Sequence, residues 1–348
     1  MVSNQDDRVL KFDIMETMKK FKGKIKLGLD SKSKKTTGSI YFDYLINGGF
    51  EEDTISLYYG PSASGKTTMA LRNIAAAQRR GETCAWVRVE KGANEEFMRK
   101  IGVDVDKLIV VEKMESGEDY LDAVVHLVEQ GIDMLVVDSI SSLVTKSVME
   151  NGFDKKTMGA QAALLSTFFA KVNAINHKSI IILISQVREE FNSMGYTKYK
   201  FAGGKSAQHT CNYIIEFKLK DRLDDDQKEI GSSELKSEIK REVSGAMMHV
   251  FVAKCQRGMP FKAGEMYLSF KTGKIDEEGE LITVAVRLGF IGESAGWIKP
   301  DPEFIKQFGN DKVKESCRAK DLRTLLREDK KAYQFFVDKI NQVIEDEA

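Results

Sequence analysis

Residues 60–67 read GPSASGKT, a G-x-x-x-x-G-K-[ST] series. A short apolar run, Ile55–Tyr59 (ISLYY), precedes it, and a helix-forming stretch over 66–80 follows, with Gly81 placed to stop the helix. Strand, Gly-rich turn and helix together are the context the motif requires. Gly60 and Gly65, with Pro61, Ser62, Ala63 and Ser64 between them, let backbone N–H groups close round phosphate oxygens, and the helix N-terminus adds its partial positive charge. Lys66 is placed to reach the β- and γ-phosphates, Thr67 to put its hydroxyl on Mg²⁺, and Thr68 continues the same turn of helix. The expected ligand is a nucleotide carrying β- and γ-phosphates together with Mg²⁺.

Outward from that turn, strand and helix signals alternate. Thr83–Glu90 reads as a strand, a short helix carries Phe97 and Met98, and Leu108–Val111 is a further strand. Ser116 and Asp119 form a box-like start to a helix with Leu121, Val124, Val125 and Val128 on one face. Met134–Val137 is wholly apolar and ends in Asp138; 158–176 reads as a helix; Ser179–Ser185 (SIIILIS) is again wholly apolar. Apolar strands separated by helices predict an α/β fold with a mainly parallel sheet covered on both faces. Ligands in such sheets bind beyond the carboxyl ends of the strands, so Gly60, Glu90, Asp138 and Gln186 should converge.

Asp138 is suited to hold Mg²⁺, although an apolar run ending in Asp also reads as a helix N-cap. Glu90 can orient or deprotonate an attacking water, or be a surface acid at a strand end. Gln186 can sense a γ-phosphate, or be the polar terminus of a buried strand. The 348 residues carry 53 Lys+Arg and 53 Asp+Glu, so no global basic field points to nucleic acid. The distribution is polarised all the same: residues 146–205 hold nine Lys/Arg against four Asp/Glu, and residues 104–138 hold ten acids against two bases. Within the basic stretch Phe191, Tyr196, Tyr199 and Phe201 interleave with Arg188, Lys198, Lys200 and Lys205 beside Gly195, Gly203 and Gly204. That mixture suits a phosphate backbone with stacked bases, or else a flexible exposed loop. Cys84, Cys211, Cys255 and Cys317 show neither zinc nor disulfide spacing, and no apolar run reaches a membrane span. A cytoplasmic protein without membrane partners is expected.

GPSASGKTT, Val89–Glu90, KIGVDVDKL, LVVDSISSL, TMGAQAALLS, ISQVR, Ala202–Gly204 and MPFKAGE, in that order, resemble the RecA family from about Thr37 to about Trp297. The resemblance implies a RecA-type P-loop NTPase core and an ATP- and Mg²⁺-dependent recombinase. Such a protein polymerises on single-stranded DNA, pairs it with double-stranded DNA and exchanges strands. It implies Glu90 as catalytic base, Gln186 as the link from γ-phosphate to a DNA loop, and Asn94 and Phe97 at the adenine. It implies DNA contacts at Met158, Ser166, Gly203, Gly204 and Lys205 and at the apolar Phe191, with Lys171 the nearest cation to a basic family position that is Ala170 here. Lys254, with Arg257 where Gln256 replaces a second family lysine, is implied to reach the ATP of a neighbouring subunit. His209 stands where RecA has an aromatic. Residues 8–28 resemble the helix and strand by which one subunit docks on the next. Divergent loops and the charged stretch 221–245 fit a phage-encoded member acting in the bacterial host cytoplasm. A single-strand binding protein and a loading mediator are implied as partners.

The expected layout is a polymerisation segment at 1–38, an ATPase core at 39–272 with DNA loops at about 146–158 and 187–204, and a small C-terminal α/β lobe at 273–348. Two rival functions remain: a RecA-fold hexameric helicase or motor, and a DNA-coating filament with weak ATPase.

Overall fold

The computed structural model describes residues 19–20, 33–90, 92–151, 159–191, 197–224, 228–231, 242–270 and 276–346, the description at 188–191 and 197–200 being of the backbone. The chain divides into two units, Met1–Ser33 and Lys34–Ala348. The expected docking helix and strand at 8–28 lie outside the described residues, apart from Lys19 and Lys20, which are helical.

In the second unit the elements run α1 (Ile40–Leu45), β1 (Thr54–Gly60), α2 (Lys66–Arg79), β2 (Cys84–Arg88), α3 (Glu95–Ile101), β3 (Ile109–Val111), α4 (Gly117–Glu129), β4 (Met134–Asp138), α5 (Lys146–Asn151), α6 (Ala160–Ile175) and β5 (Ile180–Gln186). A hairpin of β6 (Arg188–Phe191) and β7 (Thr197–Lys200) follows, then α7 (Gly204–Thr210), β8 (Tyr213–Leu223), β9 (Gly245–Cys255) and β10 (Ala263–Ser269). The C-terminal part holds α8 (Glu277–Arg287), β11 (Ile291–Ser294), β12 (Trp297–Pro300), α9 (Pro302–Phe308), β13 (Cys317–Arg318), α10 (Ala319–Glu328) and α11 (Lys330–Asp346). Its three strands make a separate antiparallel sheet.

The main sheet has eight strands in the order β10-β9-β8-β1-β5-β4-β2-β3. The run from β8 to β3 is parallel, and β9 and β10 add antiparallel to β8. Period-two alternation in β5 shows how both faces are filled. Ile180, Ile182 and Ile184 join one apolar cluster, Ile181 and Leu183 the other, and all five are buried. Helices α1, α2 and α3 and the helices after residue 276 cover the first face; α4, α6 and α7 cover the second. Each such Ile or Leu contributes about 1.5–3 kcal/mol by leaving water. This two-sided core fixes the strand ends in register: Gly60 lies opposite Gln186, and Arg88 opposite Asp138.

Local signals were obeyed where they were strong. The Ser116 hydroxyl accepts from Asp119 N–H and starts α4. Gly81 follows the end of α2 with φ +81°. The described residues of the C-terminal region hold four helices beside its small sheet, and their buried side chains continue the first-face cluster. The charged stretch 221–245 connects two antiparallel strands, β8 and β9.

Candidate active site

β1 delivers the chain into the Gly60–Gly65 turn, and both glycines are required by space. Gly60 has φ +154°, and a Cβ there would sit 2.0 Å from the Phe217 carbonyl oxygen. Gly65 has φ +91° at the N-cap of α2, and its Cβ would sit 2.0 Å from the Met248 sulfur. Lys66 opens the helix, is buried, and folds back over the turn. Its ammonium donates to the Gly60 carbonyl at 2.9 Å, to the Pro61 carbonyl and to the Ser64 hydroxyl. Burial pulls its pKa down to about 8, against the pull of Asp138 and Glu90.

Asp138, at the end of β4, accepts the Thr67 hydroxyl at 2.8 Å. Burial, with the Glu90 carboxylate adding to it, pushes the Asp138 pKa up to about 6 in spite of that bond. A hydroxyl and a carboxylate side by side are hard oxygen donors of the kind Mg²⁺ takes, with phosphate and water completing the shell. Among the described residues no group of three or more His, Cys, Asp or Glu forms an all-protein metal cage. The pair therefore fits Mg²⁺ held jointly with a nucleotide.

Glu90 lies just past β2 and is held by its neighbours. Ser139 donates to Oε1 at 2.6 Å, and Ser142 donates to the same oxygen. The Gln186 amide at the end of β5 reaches both carboxylate oxygens, at 3.1 and 2.9 Å. A small cavity of about 250 Å³ is lined by Ala63–Thr68, Phe97, Leu268 and Phe270. Phe97 thus sits beside the phosphate turn. Asn94 caps α3 by accepting from Phe97 N–H, so it also sets the position of that ring's backbone.

The structure brings Gly60–Thr68, Asp138, Glu90 and Gln186 to one end of the sheet. It sets Lys254 and Arg257 at the other. The β8–β9 register puts Cys255 opposite Tyr213, which pairs with Ser56 of β1, four residues upstream of Gly60. At about 3.3 Å per residue that is roughly 13 Å of strand. Lys254 donates to the carbonyls of Gln208 and His209 at the end of α7, and Arg257 pairs with Glu51 at 3.3 Å. His209 is exposed.

Of the expected DNA contacts, Ser166 and Lys171 are exposed on α6, with Lys171 lying 3.7 Å from Asp122. Gly203 caps α7 at φ +85°, and Gly204 and Lys205 are exposed in its first turn. Arg188, Phe191, Lys198 and Lys200 belong by backbone to the β6–β7 hairpin, with Arg188 opposite Lys200. Met158 lies outside the described residues.

A family profile, the RecA N-terminal domain, matches residues 8–274. The chain belongs to the RecA family. Protein RecA of Chlorobaculum parvum is 33% identical over 311 residues, covering 86% of this chain and 85% of that one. Protein RecA of Gluconacetobacter polyoxogenes is 33% identical over 287 residues, covering 81% and 78%. A solved RadB recombinase matches at TM-score 0.49 and 19% identity, over 68% of this chain and 97% of that one.

Sequence reasoning missed Phe270, Leu268 and the serines at 139, 141 and 142. The SISS run following LVVD was visible, but nothing in it told which carboxylate the hydroxyls would meet. Phe270 lies just past the antiparallel edge strand β10, beyond the MPFKAGE motif that opens that strand.

Proposed function

We propose that the chain is an ATP-dependent DNA recombinase that assembles on single-stranded DNA. The observation that carries this reading is the convergence of the Gly60–Thr68 turn, Asp138, Glu90 and Gln186 at one sheet end of a RecA-family fold. ATP phosphates would take over the Lys66 ammonium from the Gly60 and Pro61 carbonyls. Thr67 and Asp138 would hold Mg²⁺, which neutralises phosphate charge. Glu90 would accept the proton of a water whose oxygen attacks the γ-phosphorus. The bond to the β–γ bridging oxygen breaks, and ADP and inorganic phosphate leave. Gln186 adjoins β6, so a change in its partner at the γ-phosphate would be passed to the hairpin that carries Arg188 and Lys198.

Lys254 and Arg257 support an assembled enzyme. They sit at the opposite end of the sheet from their own phosphate turn, so any contact with ATP comes from a neighbouring copy. Cations supplied in trans raise phosphoryl-transfer rates by on the order of 10³ or more in other systems. One observation favours weak coupling: Gln256, in place of a family lysine, is engaged by the Asn212 amide at 3.0 Å. Under that second reading the chain coats DNA and hydrolyses ATP slowly.

The test is DNA-stimulated ATP hydrolysis with Lys66→Ala and Glu90→Gln, alongside imaging with single-stranded DNA, Mg²⁺ and a slowly hydrolysed ATP analogue. The expected result is loss of turnover in both variants, with helical filaments kept by Glu90→Gln. Closed rings would move the assignment to a motor, and full activity in Glu90→Gln would remove Glu90 as the base.

A further inference from the structure

The turn after β4 carries three hydroxyls at Ser139, Ser141 and Ser142, and all three face the Glu90–Gln186 pair. Ser139 and Ser142 donate to Glu90 Oε1, which also takes the Gln186 amide. The same amide holds Oε2 at 2.9 Å. The Ser141 hydroxyl accepts the Gln186 backbone N–H at 3.0 Å. A carboxylate offers about two lone-pair directions per oxygen. Three donors therefore saturate Oε1, and the amide engages Oε2. A general base needs an open lone pair aimed at its water. In this arrangement Glu90 is ordered, Oε1 is fully occupied, and Oε2 keeps one open direction beside the Gln186 amide.

The turn has its own anchor. The Gln161 amide, in the first turn of α6, donates to the carbonyls of Ile140, Ser141 and Leu143 at 3.2, 3.1 and 3.0 Å. The serine turn therefore meets Gln161, three residues after the first expected DNA loop, and Gln186, one residue before the second. Movement of either reaches Glu90 across very few hydrogen bonds.

We propose that Ser142 is a positioning residue that, together with Gln186, locks Glu90 in a resting orientation and keeps basal ATP hydrolysis low until DNA draws Gln186 away. Ser139 is fully buried beneath the carboxylate, so its bond persists in either state. Ser142 is exposed, and among the described residues its hydroxyl otherwise meets that of Ser139, at 3.4 Å, so it can let go without opening the core. This inference rests on the reading of Glu90 as the base.

The experiment measures steady-state ATP hydrolysis by the full chain, with and without an oligothymidylate strand, for the parent, Ser142→Ala, Ser142→Thr and Glu90→Gln. Because Ser142 is exposed, alanine there leaves the core intact. Ser142→Ala is expected to raise the DNA-free kcat about three- to tenfold, the effect of losing one hydrogen bond on an open–closed equilibrium. The DNA-stimulated kcat and the KM for ATP should stay within about twofold, so the stimulation ratio falls. Threonine keeps the hydroxyl and should restore the parent ratio. An unchanged or lower DNA-free rate in Ser142→Ala overturns the lock, as does a threonine variant that behaves like alanine. Full activity in Glu90→Gln, or a parent that DNA does not stimulate, overturns the site reading and the lock with it. An inactive Glu90→Gln beside an unaltered Ser142→Ala ratio overturns the lock alone.

Discussion

Gly60 and Gly65 face different obstacles, and this ranks their substitutions. Both adopt positive φ, where a Cβ costs about 1–3 kcal/mol. At Gly65 the obstructing atom is the sulfur of Met248, the flexible end of a side chain that can turn aside. At Gly60 it is the Phe217 carbonyl oxygen, part of a strand that cannot yield. Gly60→Ala should therefore destabilise more than Gly65→Ala, by about 1–2 kcal/mol. Denaturant midpoints measured on both proteins would refute this by showing equal losses or the reverse order. The rings beside the turn make a separate prediction. Phe97 and Phe270 line the same cavity as the phosphate turn but sit away from Glu90's contacts. Phe270→Ala should raise the KM for ATP about three- to tenfold, the worth of one aromatic contact, with little change in kcat. A fall in kcat at constant KM would place Phe270 in the chemistry. Phe97 is legible in the sequence through the resemblance, which places it where the family holds the adenine. Phe270 is not, because its nearness to Lys66 comes from the pairing of distant strands.

Helix α6 is tied to the turn after β4, and Gln161 is the residue that does it. One amide serves three carbonyls of the serine turn, so removing it leaves part-buried acceptors short of a donor. Gln161→Ala should cost about 1–2 kcal/mol of stability and raise DNA-free hydrolysis in the same direction as Ser142→Ala, because the turn loses its anchor. Stability lost with no change in the DNA-free rate would make the clasp a purely structural one. At this scale the parallel half of the sheet was legible. IIILIS and MLVV are buried on both faces, so they read as unbroken apolar runs. The antiparallel β8–β10 edge was not. In β9 buried and part-exposed residues alternate from Ala246 to Ala253, a weaker pattern in which His249 and Lys254 interrupt the apolar signal. The charged connection at 221–245 further hid that β8 and β9 are partners.

The Lys34–Ala348 unit is held across its sequence ends by an acid that function does not use. Glu280, in the first turn of α8, is fully buried and accepts the Ser39 hydroxyl at the N-cap of α1, 241 residues away. Arg72 stands nearby, donating to the Gly38 carbonyl at 2.7 Å and reaching Glu277 at 3.4 Å. Burial raises the Glu280 pKa to about 7; Arg72 and the Ser39 bond oppose this, and Glu277 adds to it. Between the ordinary value of 4.5 and about 7 the folded chain thus binds a proton that the unfolded chain has released. The sign follows from linkage: stability falls as pH rises through that window, and the loss is complete above it. The shift corresponds to at most about 3 kcal/mol. Glu280→Gln cannot ionise, so its stability relative to the parent should rise by up to that amount between about pH 5 and pH 8. Urea unfolding of both proteins across that range provides the check, and the comparison cancels every other titrating group. Parallel curves would mean that Glu280 ionises in the fold as freely as in water, and that the tie between α8 and α1 carries no proton.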